Sequence, residues 1–340
     1  MPLWLRGETP QSDVVLSTRI RLARNLKEIP FPSMLRQKED IQKVKELAKE
    51  ALSAKGNSDF IYYDMESLNA IDKQALTERY LISRELAENP NGAVILGRDE
   101  TLSVMIMEED HYRLQCILGG LQLNNAYAIA DELDNILSRS AGFAFDEKLG
   151  YLTSCPTNVG TGMRASVMLH LPALVLAGAI GGVLKAIGKI GLTARGTFGE
   201  GTEAAGNVFQ ISNQVTLGLS EKEILENLSV SVERIIESER QARNTIAKAW
   251  NVELQDRICR ALGVLKYARK LTTEELLRHI SDINLGVALK IIRGVGHTEL
   301  YSLMMDTRPA LLMLNKNDKT PLERDVQRAE ITRNALKEAD

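Results

Sequence analysis

Apolar positions in this chain recur with two different periods, and the change of period along it predicts the elements. From Leu35 to Ala54 the apolar residues Ile41, Val44, Leu47, Ala48, Ala51 and Leu52 fall at helical spacing, with lysines and glutamates between them. Ala93 to Leu96 and Leu102 to Met107 read instead as two short strands around the turn Gly97-Arg98-Asp99-Glu100. A helix is predicted over Leu121 to Ser138, with Tyr127, Ala130, Leu133 and Leu137 on one side. Phe143 to Thr153 reads as short strands divided at Gly150. Arg164 to Leu169 and Asn207 to Ser212 read as extended chain, and Pro172 to Lys189 as helix. Glycine-rich loops interrupt the chain at 160–162 and 196–206.

Past Ser220 strand signals almost vanish, and helices are predicted at 221–249, 253–270 and 273–280. The last helix, from 321 to about 338, carries its own start signal: Thr320 as N-cap, Pro321 in the first turn and Glu323 three residues on. The pattern is that of an α+β chain. A boundary falls within 220–245, which divides it into residues 1–240 and an all-α C-terminal domain at 241–340.

Composition excludes several classes. The 340 residues exceed what one small core needs, and 44% hydrophobic with 26% charged residues is the balance of a water-soluble globular protein. A net charge of -3 argues against nucleic acid as a partner. Cys116, Cys155 and Cys259 have no metal-ligand spacing, and neither do His111, His170, His279 and His297. The first residues lack the apolar run of a secretion signal, and Leu169 to Ile187 is broken by Pro172, glycines and Lys185, so no membrane span is expected. A cytoplasmic protein is the expectation.

Gly182 to Lys189 looks like a phosphate-binding loop but is one residue too long, and Ile190 stands where a serine or threonine must hold the metal. No HRD or DFG triplet of the usual protein kinases occurs. Three other segments carry chemistry. In extended Leu16 to Asn25, Arg19 and Arg21 point the same way while Ile20 and Leu22 face the core, and two parallel guanidinium forks suit a polyphosphate. Glu108-Glu109-Asp110 places three carboxylates in a row after an apolar strand, a crowding that a bound cation would relieve. Thr153 to Ser166 sets Cys155 before a Gly/Thr/Asn loop whose N–H groups would cradle an anion, with Arg164 closing it.

Together these strings resemble the ATP:guanido phosphotransferase family, to which creatine kinase and arginine kinase belong. The matching text is Ser17-Thr18-Arg19-Ile20-Arg21, Glu108-Glu109-Asp110-His111, Cys155-Pro156-Thr157-Asn158-Val159-Gly160-Thr161-Gly162 and Arg195-Gly196-Thr197-Phe198-Gly199-Glu200, in the family's order. The resemblance implies a large, mainly antiparallel sheet flanked by helices. It implies ATP as donor, with Mg2+ held by the nucleotide and water and no dedicated protein metal site. Arg19, Arg21, Arg113, Arg164 and Arg195 would clamp the phosphates. The nucleotide would also lie along Ser17, Thr18 and Ile20, along Ala165, Ser166, Val167 and Met168, and along Gly196 to Glu200. Glu109 and Glu200 would hold the guanidinium, with Cys155 beside it as a thiolate. Where Tyr80 falls, many members have a histidine near the nucleotide; Tyr80 would stack on adenine.

Two departures resemble one branch, the protein-arginine kinases (McsB) of Gram-positive and related bacteria. The Ser-Thr-Arg segment begins at residue 17, so the helical domain that covers small substrates ahead of it is expected to be absent, and extra chain follows the catalytic region. Arg324-Asp325-Val326-Gln327-Arg328-Ala329 matches that branch's Arg-Asp-x-x-Arg-Ala motif for binding phosphoarginine. Arg324 and Arg328 would share a helix face around a phosphoryl group, with Asp325 on the guanidinium end and Ala329 completing the motif. The branch implies arginine side chains of proteins as substrate, with a phosphagen-type kinase of free arginine as the alternative. It further implies allosteric control, an activator of the McsA kind, a Clp-type protease downstream, a role in stress response, and a homodimer.

Overall fold

The computed structural model describes residues 2–7, 9–53, 59–196, 204–314 and 319–340. Its centre is a sheet of eight strands. These are β1 (Val15–Arg24), β2 (Phe60–Asp64), β3 (Ala93–Gly97), β4 (Leu102–Ile106), β5 (Tyr112–Gly119), β8 (Met163–His170), β9 (Leu192–Gly196) and β10 (Val208–Asn213); the short β6 (Phe145–Asp146) and β7 (Gly150–Tyr151) pair separately. The sheet order is β2-β3-β4-β5-β1-β8-β10-β9, with antiparallel pairing throughout. The expected antiparallel sheet is therefore present.

Its register decides which side chains meet. Arg21 lies opposite Arg164 on one side and Gln115 on the other, Ala23 opposite Arg113, and Gln210 opposite both Arg195 and Met168. Directly opposed residues share a face, and so do residues two apart. Ser17, Arg19, Arg21, Arg113, Arg164, Ser166, Met168, Arg195 and Gln210 therefore all stand on one face.

The other face carries Ile20, Leu22, Leu114, Cys116, Ala165, Val167 and Ile211, all buried. They join one apolar core with α1 (Lys38–Ser53), α4 (Leu123–Ala141) and the first half of α7 (Glu221–Ala249). On the arginine side a second core forms from the N-terminal Trp4 and Leu5, Leu81, Leu86, Ile117 and Met168 together with the C-terminal helices. α2 (Ala70–Glu78) and α3 (Arg84–Glu88) flank it.

Helix bounds depart from the apolar period for local reasons. Chain Pro32–Met34 takes a tight 3-10 turn and Leu35 is extended, so α1 begins only at Lys38. The single helix expected over Pro172 to Lys189 is two, α5 (Pro172–Leu176) and α6 (Ile180–Gly188), because Gly178 between them adopts φ +68°, outside any right-handed helix. α8 (Asn251–Tyr267) packs on α9 (Thr273–Ala288). α9 outruns its expected end at 280, and Gly286 lets it lie close to α8: a Cβ there would meet Ile258 at 2.5 Å.

α10 (His297–Asp306), α11 (Pro309–Met313) and α12 (Pro321–Ala335) complete the chain. The capping box at Thr320 and Glu323 forms as the sequence indicates. α7 crosses residue 240 without a break and is tied by charge to the chain ahead of β1 and to the start of α5. Buried Arg243 donates to Glu239 at 2.8 Å and to the Asp13 carboxylate and carbonyl, while Glu239 accepts the Ala173 and Leu174 N–H groups that open α5. Removing one partner from such a buried set costs about 3–5 kcal/mol.

Candidate active site

The charged face of the sheet forms the floor of a cleft of 570 Å³, lined by Arg19, Arg21, Arg113, Arg164, Arg195, Gln210, Glu108 and Glu109, with Ser83 and Glu85 at the start of α3. Arg19 and Gln210 also line a small neighbouring pocket of 10 Å³, walled further by Ser17, Tyr80, Ile117, Ser166 and Met168. Few protein groups answer these cations. Arg19 donates to the Gln210 side chain at 3.0 Å and Arg164 to Ser212 at 3.3 Å. The Nε atoms of Arg21 and Arg164 are buried with no hydrogen-bond partner.

Burial pushes the Arg19 guanidinium down to about 10, Tyr80 opposes that, and Arg113 and Arg164 add to it. Burial likewise takes Arg21 well below the ordinary arginine range, helped by Arg19, Arg113 and Arg164. Mutually repelling, half-answered guanidinium groups on strands are a site built for a polyanion. A nucleotide triphosphate fits this test.

The three consecutive acids diverge. Glu108 pairs with Arg113. Asp110 is buried and accepts the Asn25 amide and the Ser154 N–H, each at 2.6 Å. It thereby ties the turn carrying Glu109 to the loop carrying Cys155. Glu109 is left facing the cleft, its side chain 43% exposed, with Arg113 at 3.6 Å, the Asn158 amide at 3.5 Å and the Cys155 thiol as a hydrogen-bond partner. Burial raises the Glu109 carboxyl above the usual range, against the pull of Arg113, and Asp110 and Glu108 push it further up. That makes it a better proton acceptor than an ordinary surface carboxylate. Cys155 Sγ lies 3.0 Å from the Thr157 hydroxyl. Among the described residues no cluster of His, Cys, Asp and Glu is arranged to hold a metal ion.

Not every residue in the matching strings can turn to the cleft. Period two sends the side chains of Thr18, Ile20, Ala165 and Val167 into the helix-covered core, where each is buried. Thr18 instead donates to the Gly120 carbonyl at 2.7 Å and receives the Gln122 N–H. Gly196 ends β9 opposite Phe209. Thr197, Phe198, Gly199 and Glu200 lie outside the described residues.

In the C-terminal motif, Arg324 and Arg328 sit on α12 but only Arg324 is partly open, with Met313 Sδ at 3.3 Å. Arg328 is 1% exposed and donates to the carbonyls of Thr307 and Leu271 and to Asp325. Asp325 thus takes the guanidinium of its own helix, and Ala329 is packed in the second core. Gln210, Ser83 and Arg308 went unremarked in the sequence. The alternation of β10 would have exposed Gln210; nothing local marks the other two.

Residues 43–242 match the C-terminal catalytic domain of the ATP:guanido phosphotransferases. This chain belongs to that family. Residues 251–340 match the protein-arginine kinase McsB C-terminal domain. A protein-arginine kinase of Brevibacillus brevis is 47% identical over 98% of this chain and 95% of its own length. That of Moorella thermoacetica is 46% identical over 98% and 97%. The branch is thus that of the protein-arginine kinases. Among solved structures, a lombricine kinase superposes with a TM-score of 0.61 at 24% identity, over 72% of this chain and 69% of that one, a likeness of fold. The duplicated taurocyamine kinase of Schistosoma mansoni with bound transition state analog components gives 0.57 at 27% identity, over 68% and 33%.

Proposed function

We propose that this chain transfers the γ-phosphoryl group of ATP to the guanidinium of arginine side chains in other proteins, giving phosphoarginine. The observation that carries this reading is the meeting, in a single cleft, of the under-paired arginine floor with Glu109, which is itself hydrogen-bonded to Cys155. Arg19, Arg21, Arg113, Arg164 and Arg195 hold the phosphates and balance charge on the transferring group. Mg2+ bound by the nucleotide and water would add further positive charge there. Tyr80 and Met168 wall the adenosine end.

An arginine guanidinium is protonated and a poor nucleophile. Glu109 grips it, aims one nitrogen at the γ-phosphorus and accepts the proton as the N–P bond forms and the bond to ADP breaks. In this reading Glu200 is the second carboxylate, and Cys155 orients the guanidinium rather than attacking it. The relatives named protein-arginine kinase support protein side chains over free arginine as acceptors.

Residues 1–240 would carry the reaction, and 241–340 phosphoarginine binding and homodimerisation, with α7 shared between them. At the allosteric phosphoarginine site Arg324 would meet the ligand, with Asp325, Arg328 and Ala329 fixing the helix that presents it. The match of 251–340 to the McsB C-terminal domain supports this extension to a stress-response role: a McsA-like activator, and marking of proteins for a Clp-type protease in the cytoplasm. No helix among the described residues is long and apolar enough to cross a membrane.

The test is incubation with ATP and either casein or free arginine, followed by mass spectrometry at neutral pH, since acid cleaves the P–N bond. Phosphoarginine on casein is expected. Turnover of free arginine with none on protein would overturn the assignment.

A further inference from the structure

Beside the cleft lies a second groove, of 490 Å³, between the loop after Cys155 and the ends of β9 and β10. Arg164 and Arg195 line both, so the groove adjoins the phosphate floor. Its near wall is Thr157 and Asn158, the same Asn158 whose amide approaches Glu109. Its far wall includes Gln214, Val215 and Leu217. Val215 is 45% and Leu217 49% exposed, and Ile190 beyond them is 61% exposed. Isolated surface aliphatics need no explanation, but here two of them line a groove opening onto the reacting end of the cleft.

The groove is also preformed. The Thr216 hydroxyl lies 2.9 Å from the Thr157 carbonyl and 2.7 Å from that of Val159, and the Thr161 N–H donates to Thr216 O at 3.1 Å. The Asn213 amide accepts the Ala165 N–H and donates to the Met163 and Val215 carbonyls. The two walls are therefore cross-linked, and binding needs no ordering of either.

The geometry points to this groove as the subsite for the substrate polypeptide next to the target arginine. It takes an extended segment whose neighbouring side chain is aliphatic. This rests on the reading that protein arginines are the acceptors. An arginine delivered to Glu109 brings its own main chain to the rim there. Extended chain advances about 3.4 Å per residue, so the next two residues must lie on the surface directly beside that rim. The groove offers what such a segment needs. Asn158 and Gln214 present amides for main-chain N–H and C=O groups, and Val215 and Leu217 present apolar area for one side chain. Val215 and Leu217 give a charged neighbour no partner, so a lysine or arginine placed there loses hydration without compensation.

The experiment uses the full chain and two arginyl peptides that differ only at the neighbouring position, isoleucine in one and lysine in the other. Rates are measured for the parent and for Val215→Glu and Leu217→Glu. The parent should favour the isoleucine peptide. Each variant should raise the KM for that peptide at least about tenfold and leave the KM for ATP within twofold, and Val215→Glu should gain on the lysine peptide. That gain cannot come from a misfolded variant. A parent indifferent to the neighbour, or variants with unchanged peptide KM, would remove the groove assignment while leaving protein-arginine phosphorylation intact. A parent active on free arginine and on neither peptide would instead overturn the functional reading, and the groove with it.

Discussion

The guanidinium of Arg308 stands 5.6 Å from the centre of the Tyr80 ring, which has Arg19 at 5.8 Å as its other cationic neighbour. Arg308 also donates to the Glu78 carbonyl at 3.0 Å, and the Glu78 carboxylate accepts the Ala310 and Leu311 N–H groups at the start of α11. A residue between two C-terminal helices thus helps hold the aromatic wall of the proposed adenosine pocket.

Replacing Arg308 with alanine should loosen that wall more than it disturbs the reacting end. A desolvated cation–π contact is worth roughly 1–2 kcal/mol, so the KM for ATP should rise about tenfold, with kcat within about threefold. Initial rates across an ATP titration give both. An unchanged KM for ATP would show that Tyr80 holds its place without Arg308.

Glu109→Gln keeps the shape and hydrogen-bonding capacity of the side chain but removes its proton-accepting charge. Loss of a general base lowers kcat by about 10²–10⁴-fold, and the thermal midpoint should not move, because the side chain is 43% exposed. Asp110→Asn probes the tether behind it. The Ser154 N–H and the Asn25 amide both bond to this buried carboxylate, so stability and kcat should fall together. Steady-state kinetics with a melting curve separates the two patterns.

The two arginines of the C-terminal motif should behave differently. Arg328→Ala removes the partner of two buried carbonyls and leaves a cavity, at a cost of about 3 kcal/mol. Arg324→Ala, at a half-open position, should cost under about 1 kcal/mol. Urea unfolding measures both. Arg324→Ala is therefore the informative variant for phosphoarginine binding by calorimetry, since Arg328→Ala would lose binding through instability alone.

Acid should destabilise the fold through His111. Its Nδ1 accepts the Leu26 N–H at 3.0 Å and its Nε2 lies 3.0 Å from the Pro30 carbonyl, which fixes a neutral ring protonated at Nε2. Burial takes this histidine down to about 4. Between the ordinary value near 6.5 and that value the unfolded chain binds the extra proton, so stability falls as pH falls. The contribution is complete above about pH 6.5, is lost through pH 4, and amounts to roughly 3 kcal/mol. His111→Gln should flatten the pH dependence of the urea midpoint across this window. An equally steep profile would assign the acid loss elsewhere.

Much of this was legible because period two and period 3.6 are local. Ile20 and Leu22 went to the core, and Arg19 and Arg21 to the cleft, as alternation along one strand requires. Thr320 and Glu323 capped the last helix as their spacing demands. What stayed hidden depends on contacts far apart in the chain. Alternation puts Arg24 on the core face with Ile20 and Leu22, and it is 2% exposed, but its partners could not be read: it is bonded to Asp134, with its guanidinium 3.5 Å from the centre of the Tyr151 ring. No spacing rule links residues 24, 134 and 151. The inward turn of Arg328 was equally invisible, because the carbonyls it meets, Thr307 and Leu271, come from other elements.

Strand β1 is a comb whose alternate teeth serve different masters. One inserted residue within it would carry Arg21 into the oily layer and Leu22 into the phosphate trough at a stroke. Retuning of donor or acceptor preference must therefore come from the rims and loops, while the strands that bear the charge stay fixed in length.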